Sequence, residues 1–174
     1  MNIFIYLTAT TLALLAGDRS MTSGNDDPFN PIAARTFLTQ SDAEKILGEP
    51  AHVGDSLSTT KADVVEYKGS YVANSIDQKT GKTGSIYFLL EEYKLLPAAK
   101  EKYSSIKKAN ENHEGVKTLH DIGDEAYFHS DGENFYFVMV RKGKKVFNMK
   151  VNKITSKTSL DQFNKVAKEI SDSL

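Results

Sequence analysis

The segment from His113 to Glu133 concentrates side chains that can bind metal ions or transfer protons. It contains three histidines, six acidic residues and a single lysine. Imidazole and carboxylate groups are ligands for zinc and other divalent ions, and a metal bound here would use His120, His129 and Asp131. No HExxH pattern or other ligand spacing fixes a geometry. A polar hairpin without metal is therefore the favoured interpretation, and no cofactor is predicted.

The segment Gly54-Asp55-Ser56-Leu57 resembles the nucleophile block of the GDSL-type serine esterases. A catalytic Ser56 would need a histidine as base, a carboxylate to orient that histidine, and backbone donors for the oxyanion. In that family a late Asp-x-x-His motif supplies the first two groups. This sequence has no such motif and no histidine after His129. A polar loop between a helix and a strand is therefore favoured, with catalysis by Ser56 as the alternative.

The composition excludes several kinds of protein. The chain contains 22 basic and 23 acidic residues, so that its formal net charge is -1 at pH 7. No overall field therefore attracts it to nucleic acid or to a membrane. The absence of cysteine excludes disulfides, zinc sites with thiolate ligands, and cysteine nucleophiles.

Charge is nevertheless distributed unevenly along the chain. Residues 141–157 contain seven basic residues and no acidic one. A basic hairpin that faces away from the acidic segment could dock an anionic lipid, a glycan or an acidic partner. The candidates for partner binding are Arg141, Lys142, Lys144 and Lys145. Lysines that merely block edge-to-edge strand pairing are the favoured interpretation. Nucleic acid is not predicted, because Phe147, the aromatic residue among these lysines, is expected in the core.

The first 17 residues carry no charged side chain, and the first charged residue is Asp18. This run is shorter than the ~20 apolar residues that cross a bilayer, and it is typical of a secretory signal. Leu15-Ala16-Gly17 matches the start of a bacterial lipoprotein signal, but Asp18 stands where lipidation requires cysteine. We therefore predict export to the periplasm or cell surface, with no lipid at this position and no transmembrane span in the mature protein. A buried N-terminal element is the alternative.

Three segments follow from this pattern. Residues 1–17 form the signal-like leader, and residues 18–35, rich in Ser, Gly, Asn, Asp and Pro, form a polar tether. Residues 36–174 are expected to fold as one domain, because about 140 residues suffice for a single hydrophobic core.

Capping patterns and apolar spacing predict three amphipathic helices in this domain. Ser41-Asp42-Ala43-Glu44 is a capping-box pattern, with Thr39 as a competing cap, and it starts a helix that ends at Gly48. Pro97 suits the first turn of the second helix. Ser159 caps a third helix of about 15 residues. The apolar stripe of this last helix comprises Leu160, Phe163, Val166, Ala167, Ile170 and Leu174.

Alternating apolar residues and turn signals predict an antiparallel sheet. Its strands are expected at 62–71, 85–93, 116–120, 125–129, 134–141 and 145–151. The last two strands form a hairpin through Lys142-Gly143-Lys144, with Phe147, Met149 and Val151 on the buried face. The predicted fold class is α+β, in which the three helices cover the faces of the sheet.

Three short motifs are similar to those of exported bacterial proteins of the LpqN-like and PsbP-like α+β group. They are Leu47-Gly48-Glu49-Pro50, the run from Ile122 to Tyr127, and Arg141-Lys142-Gly143. The resemblance covers roughly residues 36–174 and implies a PsbP-like α/β/α sandwich. It also implies an extracytoplasmic, mostly non-enzymatic domain. Members of the group are often lipid-anchored, and those in photosystems are accessory subunits of larger assemblies.

These patterns together predict a non-enzymatic, exported envelope domain that acts as an accessory or binding module. Its partner is expected to be another envelope protein or an anionic surface. The alternatives are a small serine esterase that uses Ser56 and a domain that binds a divalent metal ion. The incomplete catalytic constellation favours the binding module.

Overall fold

Seven antiparallel strands form one sheet in the computed structural model of the protein, which describes residues 37–174. Three helices accompany the sheet in this part of the chain, and the predicted α+β class is confirmed. The predicted leader at 1–17 and the tether at 18–35 lie outside the described residues.

The helices and strands alternate in blocks along the chain. Their bounds are α1 Gln40–Leu47, β1 Ala51–Lys61, β2 Val64–Ala73, β3 Ser85–Tyr93, α2 Leu96–Asn110, β4 Val116–Leu119, β5 Glu125–Ser130, β6 Phe135–Lys142, β7 Lys145–Asn152 and α3 Leu160–Ser173. The strand order across the sheet is β1-β2-β3-β7-β6-β5-β4. Two meanders, β1 to β3 and β4 to β7, are therefore joined by the antiparallel pairing of β3 with β7.

Helix α1 begins at a different cap from the predicted Ser41. Thr39 is the N-cap, because its hydroxyl accepts from the backbone N–H of Asp42 at 3.2 Å and its own N–H donates to the Asp42 carboxylate. Glu44, the partner expected for Ser41, instead accepts from the backbone N–H of Ala51 at 3.2 Å. At α3 the predicted cap is confirmed, since the Ser159 hydroxyl accepts from the backbone N–H of Gln162.

The polar segment predicted as a loop around Ser56 is part of a strand. Strand β1 runs antiparallel to β2, and its register shifts at a bulge between Val53 and Ser56. β1 lies at the edge of the described sheet, where one side of its backbone pairs with no strand of residues 37–174. An edge strand tolerates polar and exposed residues that an interior strand would not, and for that reason apolar alternation did not reveal it.

The two faces of the sheet are covered by different helices. On β7 the predicted alternation is confirmed, with Phe147, Met149 and Val151 all buried on one face. That face packs against α1 and α3, and we call it the α1/α3 face. Val146 points to the opposite face and packs with Ala99 and other residues of α2. We call this second surface the α2 face.

Helix α2 covers only one end of its face. Ala99 and Tyr103 of the helix are buried against Tyr127, Met139 and Val146. The other end of this face has no helix over it among the described residues, and Tyr87 of β3 there is 45% exposed.

A buried carboxylate ties together two loops at one end of the sheet. Asp77, in the β2–β3 loop, is only 1% exposed. One carboxylate oxygen accepts from the backbone N–H groups of Lys79 and Thr80, and the other accepts from the N–H and hydroxyl of Ser156 in the β7–α3 loop. These hydrogen bonds, with that from the Ser156 hydroxyl the strongest, outweigh burial and hold the pKa of Asp77 well below its usual range.

We expect this carboxylate to make the protein sensitive to acid. Because the folded-state pKa of Asp77 is depressed, its contribution is complete above the unfolded-state pKa of about 4 and is lost as pH falls toward the folded-state value. Asp77→Asn should therefore be less stable than wild type near neutral pH. The gap should shrink as the pH falls from about 4 to about 2.

Urea unfolding at these pH values measures that gap. The matched control is Asp63→Asn, because Asp63 is an exposed aspartate whose carboxylate is 4.0 Å from Lys94. A gap between wild type and Asp77→Asn that stayed constant with pH would contradict the assignment.

Candidate functional site

A groove of about 720 Å³ lies between α3 and the edge formed by β4 and β5. Its floor is apolar and is formed by Leu119, Ile122, Phe128 and Val138. Leu160, the first residue of α3, lines the groove and is 37% exposed. A concave apolar site of this size is within the range that binds small ligands or side chains of a partner.

The groove exists because α3 does not reach the edge of the sheet. Phe163 of α3 is buried, and its ring lies 6.3 Å from the ring of Phe128 and 5.8 Å from that of Tyr136. Beyond this contact Phe128 and Leu119 are only half-buried. The apolar surface of β5 and β4 therefore continues past the helix that covers its neighbours.

A tight turn at Gly123 fixes the position of Ile122, which forms one end of the groove floor. Gly123 has a φ of 62°, and a Cβ there would lie 2.5 Å from Val140 Cγ1 and 2.7 Å from the carbonyl oxygen of Arg141. Only glycine combines this left-handed conformation with so close an approach to β6. The turn holds Ile122 against the core at 7% exposure.

The mouth of the groove carries charges of both signs. Three lysines and three acids line it, namely Lys117, Lys165, Lys168, Asp121, Glu169 and Asp172. Lys165 lies 3.9 Å from Glu169 and Lys168 lies 3.3 Å from Asp172 along the exposed side of α3. Such exposed pairs contribute little to stability. Because the positive and negative charges balance, the mouth does not select a strongly charged ligand. The apolar floor therefore determines which ligands the groove favours.

The basic hairpin predicted to bind a partner is largely occupied by contacts within the chain. The Lys142 ammonium donates to the carbonyl of Ser171 at 2.8 Å and to that of Asp172 at 3.4 Å. Lys145 donates to the carbonyl of Leu174 at 3.3 Å. The Lys144 side chain is exposed, and its ammonium forms no hydrogen bond or ion pair within residues 37–174, although its backbone carbonyl accepts from the N–H of Tyr93 at 2.9 Å. Partner binding at this hairpin stays a prediction, and Lys144 is the side chain most available for it.

Arg141 corrects the expectation that the basic and acidic segments face away from each other. Its guanidinium donates to Glu125 at 2.6 Å and to Asp124 at 2.7 Å, and it is 5% exposed. The contact follows from the register, because Glu125 lies directly opposite Arg141 on the neighbouring strand.

The protonation behaviour of this cluster agrees with its geometry. Burial works to lower the pKa of Arg141, but the hydrogen bonds to Glu125 and Asp124 outweigh it and the pKa is raised. The backbone N–H of Gly143 and the Arg141 guanidinium hold the pKa of Asp124 below its usual range. These contacts fix the β4–β5 turn to the β6–β7 hairpin.

Among residues 37–174, Ser56 has none of the partners that nucleophilic catalysis needs. It is half-buried on β1, opposite Gly69, and its hydroxyl forms no hydrogen bond within this range. His52, on the same strand, is hydrogen-bonded through Nδ1 to the side-chain oxygen of Asn74 at 2.6 Å. No observation on the described residues therefore favours the esterase alternative.

The three residues suggested for a metal site are used differently in the fold. His120 is exposed, while the His129 ring lies 4.9 Å from the ring of Phe135 and 5.8 Å from that of His113. One oxygen of Asp131 accepts from the backbone N–H groups of the turn that follows it. Within residues 37–174, no group of three or more His, Cys, Asp or Glu residues is arranged to hold a metal ion.

The apolar floor of the groove was not among the predicted site residues. Leu160 was assigned to the buried stripe of α3, yet its place in the first turn leaves it at the mouth of the groove. Periodicity identifies the residues that α3 turns toward the sheet, but it does not reveal how far the sheet extends beyond the helix. The predicted strand containing Leu119 was the available signal, since an apolar residue on an edge strand needs cover.

Comparison with protein-family models, with curated proteins and with solved structures found no match to this chain. The resemblance to the LpqN-like and PsbP-like group therefore rests on the short motifs alone. Across residues 37–174, no helix has the length and apolar character needed to cross a membrane.

We predict that Lys142 anchors the end of α3, because cations near a helix C-terminus stabilise its free carbonyls. Lys142→Gln should lower the free energy of unfolding by about 0.3–1 kcal/mol and speed hydrogen exchange in the last turn of the helix. Lys144→Gln is the matched control and should change neither quantity. Equal exchange rates in the two variants would show that the Lys142 contact does not stabilise α3.

Proposed function

We propose that the protein is a non-enzymatic binding module of the cell envelope, which holds an extended apolar segment of a partner protein in the groove beside α3. The single observation that carries this proposal is the groove of about 720 Å³, whose apolar floor is not covered by any element of residues 37–174. Apolar surface left open in this way is a common mark of an interaction site.

The adjacent strand explains why the occupant would be extended. β4 lies at the end of the sheet order, so that its outer backbone groups pair with no strand of the described chain. A peptide that pairs with such an edge gains backbone hydrogen bonds, and its alternate side chains enter the neighbouring pocket. Lys117 and Leu119 of β4 line the groove, so a strand added beside them would place apolar side chains over the floor.

The charge balance at the mouth restricts the sequence of this segment. Lys165 and Lys168 are paired with acids on the same helix, and Lys168 also donates to the carbonyl of Asp121 at 3.3 Å. A strongly charged segment would gain nothing from these satisfied groups while losing its own hydration. We therefore expect the segment to alternate apolar with small or uncharged polar residues.

The envelope location is the part of the proposal that rests on sequence alone. It is supported by the uncharged run at residues 1–17 and by the motifs shared with the LpqN-like and PsbP-like group. A PsbP-like sandwich, with three amphipathic helices over the sheet, belongs to the same proposal. It is supported by the placement of α1 and α3 on one face and α2 on the other.

A peptide-display selection tests the groove. We expect peptides selected on the wild-type protein to carry alternating apolar residues and to shift the backbone NMR signals of Val116–Leu119. Leu160→Lys should weaken their binding by about tenfold or more, because a charge then replaces an apolar contact at the mouth.

The matched control is Leu57→Lys, which makes the same change at a leucine that is 53% exposed on the opposite edge strand. It should leave peptide affinity unchanged. Binders that tolerate Leu160→Lys, or that leave the signals of β4 unmoved, would contradict binding in the groove. A selection that yields no binder would count against it as well.

Export is tested separately on the protein isolated from its native cell. We expect it outside the cytoplasm and shortened at the N-terminus by roughly 17 to 25 residues, as signal cleavage requires. Cell fractionation followed by mass spectrometry of the intact chain measures both. A full-length cytoplasmic product would contradict export without affecting the groove.

A further inference from the structure

A second concave surface lies on the α2 face, at the end of the sheet that α2 does not cover. This sheet basin has a volume of about 470 Å³. Its lining comes from the ends of β3, β6 and β7 and comprises Ser85, Tyr87, Asn134, Phe135, Lys150 and Asn152, with Lys153 at the rim. It lies on the opposite face of the sheet from the groove beside α3.

Aromatic rings and one lysine dominate the basin. Tyr87 lies directly opposite Lys150 in the β3–β7 pair, and its side chain is 45% exposed. The Lys150 ammonium lies 5.5 Å from the centroid of the Phe135 ring, within the range of a cation–π contact. Lys150 has no carboxylate partner in the described chain. The basin therefore combines flat apolar surfaces with an uncompensated positive charge.

Planar amides supply directional hydrogen bonds at the border of the basin. The side-chain oxygen of Asn134 accepts from Lys82 at 3.2 Å, and its amide nitrogen donates to Asp131 at 2.8 Å. These two contacts fix the orientation of the amide while leaving one N–H and one lone pair free. Asn152 and Ser85 face each other across β3 and β7 and add further polar groups.

The charges around the basin favour an anion. No residue that lines it carries a carboxylate, and Lys150 and Lys153 supply two positive charges. The nearest acid that the contacts identify is Asp131. It accepts from backbone N–H groups of its own turn and from the Asn134 amide, and it forms no ion pair with Lys150 in the described chain. A carboxylate entering the basin would therefore meet Lys150 without competition.

We propose that the sheet basin binds an acidic sugar, a pyranose ring that carries a carboxylate. A sugar ring offers C–H groups to the exposed face of Tyr87, which has a flat apolar body with a polar tip. Its hydroxyls suit the amides of Asn134 and Asn152, and its carboxylate forms a charge-assisted hydrogen bond with Lys150. The volume of about 470 Å³ is large enough for one such ring with its hydroxyl and carboxylate groups.

Single-stranded nucleic acid fits the basin less well. Its recognition needs a row of cations that follows the phosphates over several nucleotides. Here the cations are Lys150 and Lys153 in the lining and Lys82 at the border, and all three lie together at one end of the sheet rather than in a row. The sugar proposal concerns a different surface from the groove, and it does not depend on peptide binding there.

Titration of the whole chain with small probes, followed by NMR of the backbone amides, tests the proposal. The probes are methyl β-D-glucuronide, the neutral methyl β-D-glucoside, acetate, and a short thymidine oligonucleotide. We expect the glucuronide to shift the signals of Tyr87 and Lys150 and to bind at least about tenfold more tightly than the glucoside. Acetate should produce no saturable shift.

Three other results would overturn the proposal. Acetate that binds as tightly as the glucuronide would identify a simple anion site, and tighter binding by the oligonucleotide would identify a nucleic-acid surface. No shift in the basin with any probe would show that it binds none of them.

Variants separate the contributions of charge and ring. Lys150→Gln should weaken glucuronide binding by about tenfold and leave glucoside binding unchanged, whereas Tyr87→Ala should weaken both. Both positions are partly exposed, so that the variants should retain the wild-type amide spectrum away from the basin. Lys144→Gln is the matched control and should change neither affinity. Equal losses of glucuronide binding in Lys144→Gln and Lys150→Gln would contradict the assigned role of Lys150.

Discussion

The width of the sheet relative to its helical cover is the constraint on which the rest of this structure depends. Seven strands at about 4.8 Å spacing make a sheet roughly 29 Å wide, whereas one packed helix covers about 10 Å. Two helices lie on one face and one lies on the other. Neither face of the sheet is therefore closed by the described chain, and each retains an open strip at a place that the helix positions determine.

The pairing of β3 with β7 makes the sheet this wide. It joins two meanders through eight consecutive register pairs, from Ser85 opposite Asn152 to Glu92 opposite Lys145. The same pairing brings Tyr87 next to Lys150, although 62 residues separate them in the sequence. It also continues the buried core from Phe88 to Phe147, whose ring centroids lie 5.9 Å apart. The pairing of β3 with β7 therefore builds part of the core on one face of the sheet and the basin on the other.

Two buried glutamates, each paired with lysine, lie on the α2 face near the place where α2 packs against the sheet. Glu66 and Glu91 are opposite each other in the β2–β3 register, an arrangement that like charges disfavour. Lys61 and Lys68 pair with Glu66, and hydrogen bonds from them lower its pKa despite burial. Lys102 of α2 reaches Glu91 at 3.0 Å. This salt bridge links α2 to β3.

Particular elements show what the sequence could predict and where it stopped. The β6–β7 hairpin and α3 have strong periodicity and a clear cap, and their predicted bounds agree with the structure to within one or two residues. β1 was not predicted, because pairing with β2, rather than apolar alternation, holds that polar edge segment in a strand. Arg141 looked like a surface cation because its ion pair depends on the register of β5 with β6, which local pattern does not encode.

The candidate sites were hidden for the same reason. Leu119 and Leu160 lie 41 residues apart, and their shared groove depends on where α3 ends relative to β4. Tyr87, Phe135 and Lys150 were assigned individually to strands, and only the strand order brings them together. Sites that form where the helices leave the sheet uncovered depend on the tertiary arrangement, and local sequence pattern does not reveal them.

The two open strips differ in chemistry because they lie on opposite faces of the same strands. On β5 and β6 the groove side presents Phe128 and Val138, which continue the main apolar core. On β3 and β7 the basin side presents Tyr87, Lys150 and Asn152, since their neighbours Phe88, Met149 and Val151 already fill the α1/α3 face. Strand alternation therefore forces an apolar surface and a polar aromatic surface to occur together. A single small domain can in this way offer two sites of different selectivity, and occupancy of one need not obstruct the other because the sheet separates them.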